Sequence, residues 1–101
     1  MNHEQSIGLT ALRVQFPAVC REINLKGTTW VVKLNGLPVV RLVPVGQEVG
    51  QELYRLSTAD ARDALTELWE AVSVKEGHAV ITFHGRPRAV MVPYKEAPIA
   101  A

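Results

Sequence analysis

The sequence predicts an α+β fold made of two copies of a β-α-β-β unit that form a single-chain pseudo-dimer. Residues 7–44 align without a gap on residues 56–93 when the chain is shifted by 49 positions. Each copy contains an apolar stripe with helical spacing, followed by two β-rich segments around a glycine turn. A unit of about 40 residues rarely buries enough surface to fold alone, so we expect the copies to share one core.

The internal repeat rests on seven identities over 38 aligned positions. The identical pairs are Arg13/Arg62, Lys26/Lys75, Val31/Val80, Gly36/Gly85, Pro38/Pro87, Val43/Val92 and Pro44/Pro93. Apolar positions coincide as well, among them Phe16/Leu65, Val19/Leu68 and Ile23/Val72. We therefore assign residues 1–101 to one domain. It comprises repeat one at 6–45, a linker at 46–51, repeat two at 52–94 and a short tail at 95–101.

The composition of the chain narrows the classes of function that it can have. The 101 residues carry a net charge of +1, and 48% of them are hydrophobic, as in a globular protein. This charge does not require a nucleic-acid partner, although one basic face can still bind DNA. The single cysteine, Cys20, excludes an intramolecular disulfide. No apolar run reaches the length of a membrane span and the first residues do not resemble a signal peptide, so we expect a cytoplasmic protein.

In repeat one, residues 6–9 are expected to form a short strand, and residues 10–25 carry the apolar stripe of a helix. Pro17 interrupts this stripe, and an interior proline removes a backbone hydrogen bond. We therefore predict a short helix to about Gln15 and a second helix from near Pro17. Lys26 and Gly27 should end it. Residues 28–34 and 39–45 should form a hairpin around Asn35 and Gly36, which both accept positive φ.

Repeat two follows the same order. Residues 52–56 are expected to form a strand, and Ser57 is a good N-cap with Asp60 placed three residues on. Thr66 matches Pro17 and could start the second helix of this copy. The helix should end at residues 75–77, and residues 78–83 and 87–93 should form a hairpin around His84 and Gly85.

Catalysis finds little support in the sequence, and no cofactor is indicated. The chain lacks a nucleophile motif, a phosphate-binding glycine loop and a cluster of metal ligands. We interpret the scattered histidines, His3, His78 and His84, as surface residues. Cys20 lies on the apolar helix stripe and should be a buried thiol. Trp30 and Trp69 are expected to be core residues.

The arginines at equivalent positions, Arg13 and Arg62, are the main candidates for function. Each follows an apolar-face residue in the first turns of a helix, so its side chain should point to solvent. Arginine near a helix start suits a phosphate or a guanine edge, and two copies related by an approximate two-fold suit paired DNA half-sites. The alternative is an ordinary solvated arginine, or one that bridges to Asp63 or Glu67.

The second repeat resembles the antitoxins of the Phd/YefM (prevent-host-death) family over about 40 residues. The matching features are Ala61-Arg62 at the helix start, Leu65 and Leu68, Gly77, Ile81-Thr82, Gly85, Pro87 and Ala89-Val90. The first repeat is a degenerate copy that retains Arg13, Phe16, Gly36 and Pro38. The resemblance implies a dimerising α+β unit that binds operator DNA, represses its own toxin–antitoxin operon and blocks a cognate toxin through a C-terminal segment.

The resemblance also implies the DNA-contacting residues. The helix-start arginine of the family corresponds to Arg13 and Arg62. We ourselves expect Thr10, Arg55 and Ser57 to help with phosphates. The basic turn that contains Arg86 and Arg88 supplies further DNA-binding candidates, whereas its counterpart in repeat one is neutral.

The chain departs from the family in three ways. Two units are fused, Leu34 and Phe83 stand where the family often has basic residues, and about eight residues follow the last strand. These departures leave open a rival function, a protein-binding module or inhibitor on the same scaffold that has lost DNA binding. A further homodimer of such chains is also left open.

Overall fold

The computed structural model describes residues 4–94, in which three helices lie against a six-stranded mixed sheet. The elements follow one another in the order β1 (Glu4–Gly8), α1 (Leu9–Lys26), β2 (Thr29–Leu34), β3 (Leu37–Val43), β4 (Glu52–Ser57), α2 (Thr58–Asp63), α3 (Leu65–Lys75), β5 (His78–Phe83) and β6 (Arg86–Pro93). The strand predictions agree with these bounds to within about two residues, which confirms the α+β class. The predicted tail, 95–101, and His3 lie outside the described residues.

The strands are arranged in the order β1-β2-β3-β6-β5-β4. β1 pairs in parallel with β2, and β4 pairs in parallel with β5, so a helical crossover joins each parallel pair. β2 and β3 form one antiparallel hairpin, and β5 and β6 form the other. The two hairpins meet at the centre, where β3 pairs antiparallel with β6 and Leu42 lies opposite Met91.

Both hairpin turns use left-handed backbone. Asn35 and Gly36 have φ of 52° and 81°, as the sequence predicted for a two-residue turn. His84 and Gly85 have φ of 52° and 76°, so His84 holds a conformation that asparagine adopts more readily. Each hairpin also contains a register shift, after Val32 in the first and after Ile81 in the second.

The main core lies between the helices and one face of the sheet. The helices contribute fully buried side chains such as Phe16 and Leu65, and alternate strand residues such as Leu42 and Met91 meet them. Cys20 is buried, and Trp30 and Trp69 are partly buried against this core, in line with their prediction as core residues. Strand residues whose side chains point to the opposite face of the sheet form a smaller cluster there, namely Val43, Val90 and Val92.

A divided helix was expected in both repeats, and it is present in only one of them. α1 runs unbroken through Pro17, so the expected division of this helix near that residue is wrong. Pro17 is exposed, and a proline on the solvent side of a helix is tolerated when the helix bends outward. In repeat two the division occurs as expected: α3 starts at Leu65, one residue before Thr66, and follows the irregular Ala64 with φ −104° and ψ 22°. The Ala64 N–H still donates to the Asp60 carbonyl, so the irregularity spans one residue.

Candidate nucleic-acid interface

Arg13 and Arg62 meet at one shallow hollow between α1 and α2. Leu12 and Ala61, which precede them, are completely buried and fix both helices on the sheet. One step along a helix turns the next side chain by about 100°, so both arginines face solvent as predicted. The hollow that they line together contains one further residue, Asp63. The helix packing therefore brings two guanidinium groups that are 49 residues apart to the same surface.

The partners of these arginines are weak ones. An Arg13 Nη donates to the Thr66 Oγ1 at 3.0 Å, a bond between exposed side chains. Arg62 Nε lies 3.9 Å from an Asp63 carboxylate oxygen, at the outer limit of an ion pair. The alternative of a bridge to Asp63 is thus partly realised, but exposed pairs contribute little free energy. Because a guanidinium has five N–H donors, both groups keep donors for an anionic ligand.

The two helix starts differ in their capping. Ser57 Oγ accepts the Asp60 backbone N–H at 3.1 Å, which confirms the predicted N-cap and leaves the hydroxyl proton of Ser57 able to donate. The first turn of α2 also carries the Asp60 carboxylate, which repels a phosphate. α1 starts after Gly8 without a side-chain cap or an acidic residue. Exposed Thr10 lies there beside Lys33, so the start of α1 has the more favourable electrostatics for an anion.

Arg55 lies apart from the shared hollow. It is on the edge strand β4, where its Nη is 2.9 Å from a Glu52 carboxylate oxygen. The pair is exposed on both sides, so it is weakly held and screened by salt. Arg55 can reach a phosphate from here only as a separate contact at the sheet edge.

The basic turn lies near Arg62. Arg86 is exposed at the start of β6, and Arg88 is half-buried with its guanidinium 5.7 Å from the centre of the Phe83 ring. Arg62 and Arg88 line a groove of about 480 Å³ together with Arg21 of α1. Arg21 was not identified from the sequence. Its only sign in the sequence is a basic side chain on the face of α1 opposite the apolar stripe. The structure therefore joins Arg13, Arg62 and Arg88 through neighbouring concave surfaces that share Arg62.

The prediction of surface histidines is wrong for His78. Its side chain is buried at 7% exposure, and its Nδ1 lies 2.9 Å from the Val49 carbonyl oxygen. The linker covers this residue, which the strand pattern alone does not indicate. His84 is exposed, as predicted. Among residues 4–94, no group of three or more potential ligands is placed to hold a metal ion.

Burial also governs the one thiol of the chain. It raises the pKa of Cys20 to about 12, so the side chain is a neutral thiol near neutral pH and a poor nucleophile. Within the part of the chain that the structure describes, no helix combines the length and apolarity needed to cross a membrane. Comparisons with protein-family models, curated proteins and solved structures find no match to this chain.

Proposed function

We propose that this chain is a DNA-binding, antitoxin-like transcriptional regulator of a toxin–antitoxin type operon. The observation that carries the proposal is the shared hollow of Arg13 and Arg62. Two exposed guanidinium groups with spare donors, held on two packed helices, suit the phosphates or the guanine edges of one DNA segment. Arg21 and Arg88 extend this positive character, because they line the neighbouring groove that also contains Arg62.

We further propose that the fold is a duplicated Phd/YefM-type unit, with the two copies related by an approximate two-fold axis. Several features support this. β2 and β5 have bounds that differ by the repeat shift of 49 residues, and so do the register shifts after Val32 and Ile81. The left-handed residues Asn35 and His84 also differ by 49. An axis near Leu42 and Met91 would relate Arg13 to Arg62, as binding to paired half-sites requires.

A specific observation also favours the rival function. Asp63 and Glu52 neutralise part of the charge of Arg62 and Arg55, and the net charge of the chain is only +1. A protein-binding module or inhibitor on this scaffold, with a cognate toxin or another protein as its partner, would tolerate these pairs. A toxin-like reading frame beside the gene would favour the antitoxin version of either function.

The experiment that tests the proposal is a mobility shift with DNA from upstream of the gene. The intact chain should bind this DNA at low salt and should prefer it to unrelated DNA of equal length. The absence of a shift at low salt would rule out the regulator and leave the protein-binding module.

A further inference from the structure

We propose that the groove beside Arg62 binds an acidic amphipathic segment of a partner protein. This site goes beyond the proposed DNA binding and does not depend on it. The groove lies between the second half of α1, the start of α2 and the turn from β5 to β6. Its lining includes Pro17, Arg21, Leu25, Arg62, Phe83 and Arg88. We call it the α1–turn groove.

The charge of the α1–turn groove selects an acidic occupant. Arg21, Arg62 and Arg88 approach it from α1, α2 and β6, and no carboxylate belongs to the described residues that line it. Arg88 is positioned by its stacking over the Phe83 ring at 5.7 Å. Three arginines from three rigid elements form a pattern that matches spaced carboxylates, because each guanidinium can hold one carboxylate through two parallel hydrogen bonds.

The apolar part of the groove favours a peptide over a nucleic acid. Leu25 is 72% exposed and Phe83 is 49% exposed, and both flank the arginines. An aliphatic side chain such as Leu25 gains from contact with leucine or phenylalanine anchors, as in helix-in-groove recognition. A base would need a free aromatic face, but Arg88 lies over the Phe83 ring and His84 packs against it at 4.2 Å between ring centroids. The occupant should therefore carry both acidic and apolar side chains.

The groove is not a requirement of the fold, because the equivalent positions 49 residues apart have different chemistry. Cys20 corresponds to Trp69, whose larger side chain packs against the core at its own site. Arg21 corresponds to Glu70, and Arg88 corresponds to Val39. The groove that α1 forms with α2 and the β5–β6 turn is basic, whereas the positions that the 49-residue shift relates to Arg21 and Arg88 lack the charge for the same ligand.

The test uses the intact chain and a fluorescein-labelled synthetic peptide, with anisotropy as the readout. The probe has leucine and phenylalanine at helical i, i+3, i+4 and i+7 spacing and glutamate elsewhere. Two control peptides replace glutamate by lysine, or replace the apolar residues by serine. We expect the acidic amphipathic peptide to bind at least about tenfold more tightly than either control, a difference of about 1.4 kcal/mol.

Variants locate the binding surface with residues outside the proposed DNA contacts. Arg21→Glu should weaken peptide binding by about tenfold or more, and Leu25→Ser by about fivefold, because one removes a carboxylate partner and the other an apolar anchor. Val74→Ser is the matched control. Val74 lies 49 residues after Leu25 and is 81% exposed, so its loss should change affinity by less than about twofold. Thermal unfolding of each variant shows that it is folded.

Any one of the following results would overturn the proposal. The acidic peptide could fail to bind at low salt, or the lysine peptide could bind equally well. Val74→Ser could weaken binding as much as Leu25→Ser, which would place the site elsewhere. Finally, sedimentation could show that the chain self-associates and that Leu25→Ser abolishes this, which would make a second copy the occupant. DNA binding that Arg21→Glu weakens, without peptide binding, would assign the groove to nucleic acid instead.

Discussion

Leu42 lies directly opposite Met91 where β3 pairs with β6, and the two residues are 49 positions apart in the sequence. Both side chains are completely buried. On either side of them, Arg41 faces Val92 and Val43 faces Val90, and the same shift relates Arg41 to Val90 and Val43 to Val92. This pairing is what a two-fold axis through the centre of the sheet would produce, and it joins the two halves of the chain into one core.

Truncation at this central pair should destabilise the whole protein. Leu42→Ala and Met91→Ala each leave a cavity in the main core, and each should lower the free energy of unfolding by about 2–5 kcal/mol. Because the residues are direct neighbours across the strands, the double variant should depart from additivity by at least about 0.5 kcal/mol. Denaturant unfolding measures these values. Val74→Ala, at an exposed position of α3, serves as the control and should change stability by less than about 0.5 kcal/mol.

The end of the linker approaches the end of α3 so closely that a side chain does not fit. A Cβ on Gly50 would lie 2.3 Å from the Glu76 carbonyl oxygen, whereas a Cβ on Gly27 would meet nothing within 4 Å. Both glycines have similar positive φ, 65° and 68°. Gly27→Ala should therefore cost about 1 kcal/mol for the left-handed backbone alone, and Gly50→Ala should cost clearly more. Equal decreases in thermal stability would show that the linker moves away freely.

Pro17 should be a destabilising residue of α1. It lacks the N–H that would bond the Arg13 carbonyl, and it is exposed, so its ring contributes little to the core. Pro17→Ala should raise the free energy of unfolding by about 1–3 kcal/mol. Part of this gain is offset, because proline also stabilises the folded state by lowering the conformational entropy of the unfolded chain. Thermal unfolding measures the change. A fall in stability would instead indicate that the backbone geometry that Pro17 imposes is needed to place Phe16 and Val19 in the core.

The Cys20 thiol should be protected in the folded chain. Burial raises its pKa from 9.0 to about 12, and the side chain is 2% exposed. A thiol reagent at pH 8 should react at least about a hundredfold more slowly with the native chain than with the denatured chain. As pH rises, the thiol of the unfolded chain loses its proton near pH 9, whereas the buried thiol of the folded chain keeps its proton to about pH 12. The contribution of the thiol to stability is therefore full below pH 9 and falls as pH rises toward 12. Cys20→Ala should lack this part of the alkaline decline, and rapid native labelling would contradict the burial.

Much of the fold could be read from local chemistry. The Asn35-Gly36 turn and the Ser57 cap depend on neighbours in sequence, and the structure bears them out. The break expected at Pro17 is absent because a proline rule counts one missing hydrogen bond and ignores which side of the helix faces solvent. His78 was misassigned because the Val49 carbonyl that it contacts comes from a linker 29 residues away.

The candidate site was predictable only in part. The repeat shift identified Arg13 and Arg62. The apolar residue before each arginine indicated that the arginine side chain points to solvent. Their convergence on one hollow depends on how α1 packs against α2, a contact between the two halves that no local pattern encodes. The same is true of the α1–turn groove, which Arg21 enters only because α1 crosses toward the β5–β6 turn of the other half.

The most direct test of the proposed regulator is the salt dependence of its binding to DNA from upstream of the gene. The matched variants are Arg13→Ala/Arg62→Ala and Lys26→Ala/Lys75→Ala, each of which removes two positive charges from helix positions that the 49-residue shift relates. The double arginine variant should bind DNA more weakly, and the slope of log K against log salt should fall in magnitude by about 0.9 for each phosphate that is no longer neutralised. The double lysine variant should leave the affinity and the slope unchanged. If the Arg13→Ala/Arg62→Ala variant binds as tightly as the unmodified chain and with the same slope, the proposed role of Arg13 and Arg62 is contradicted.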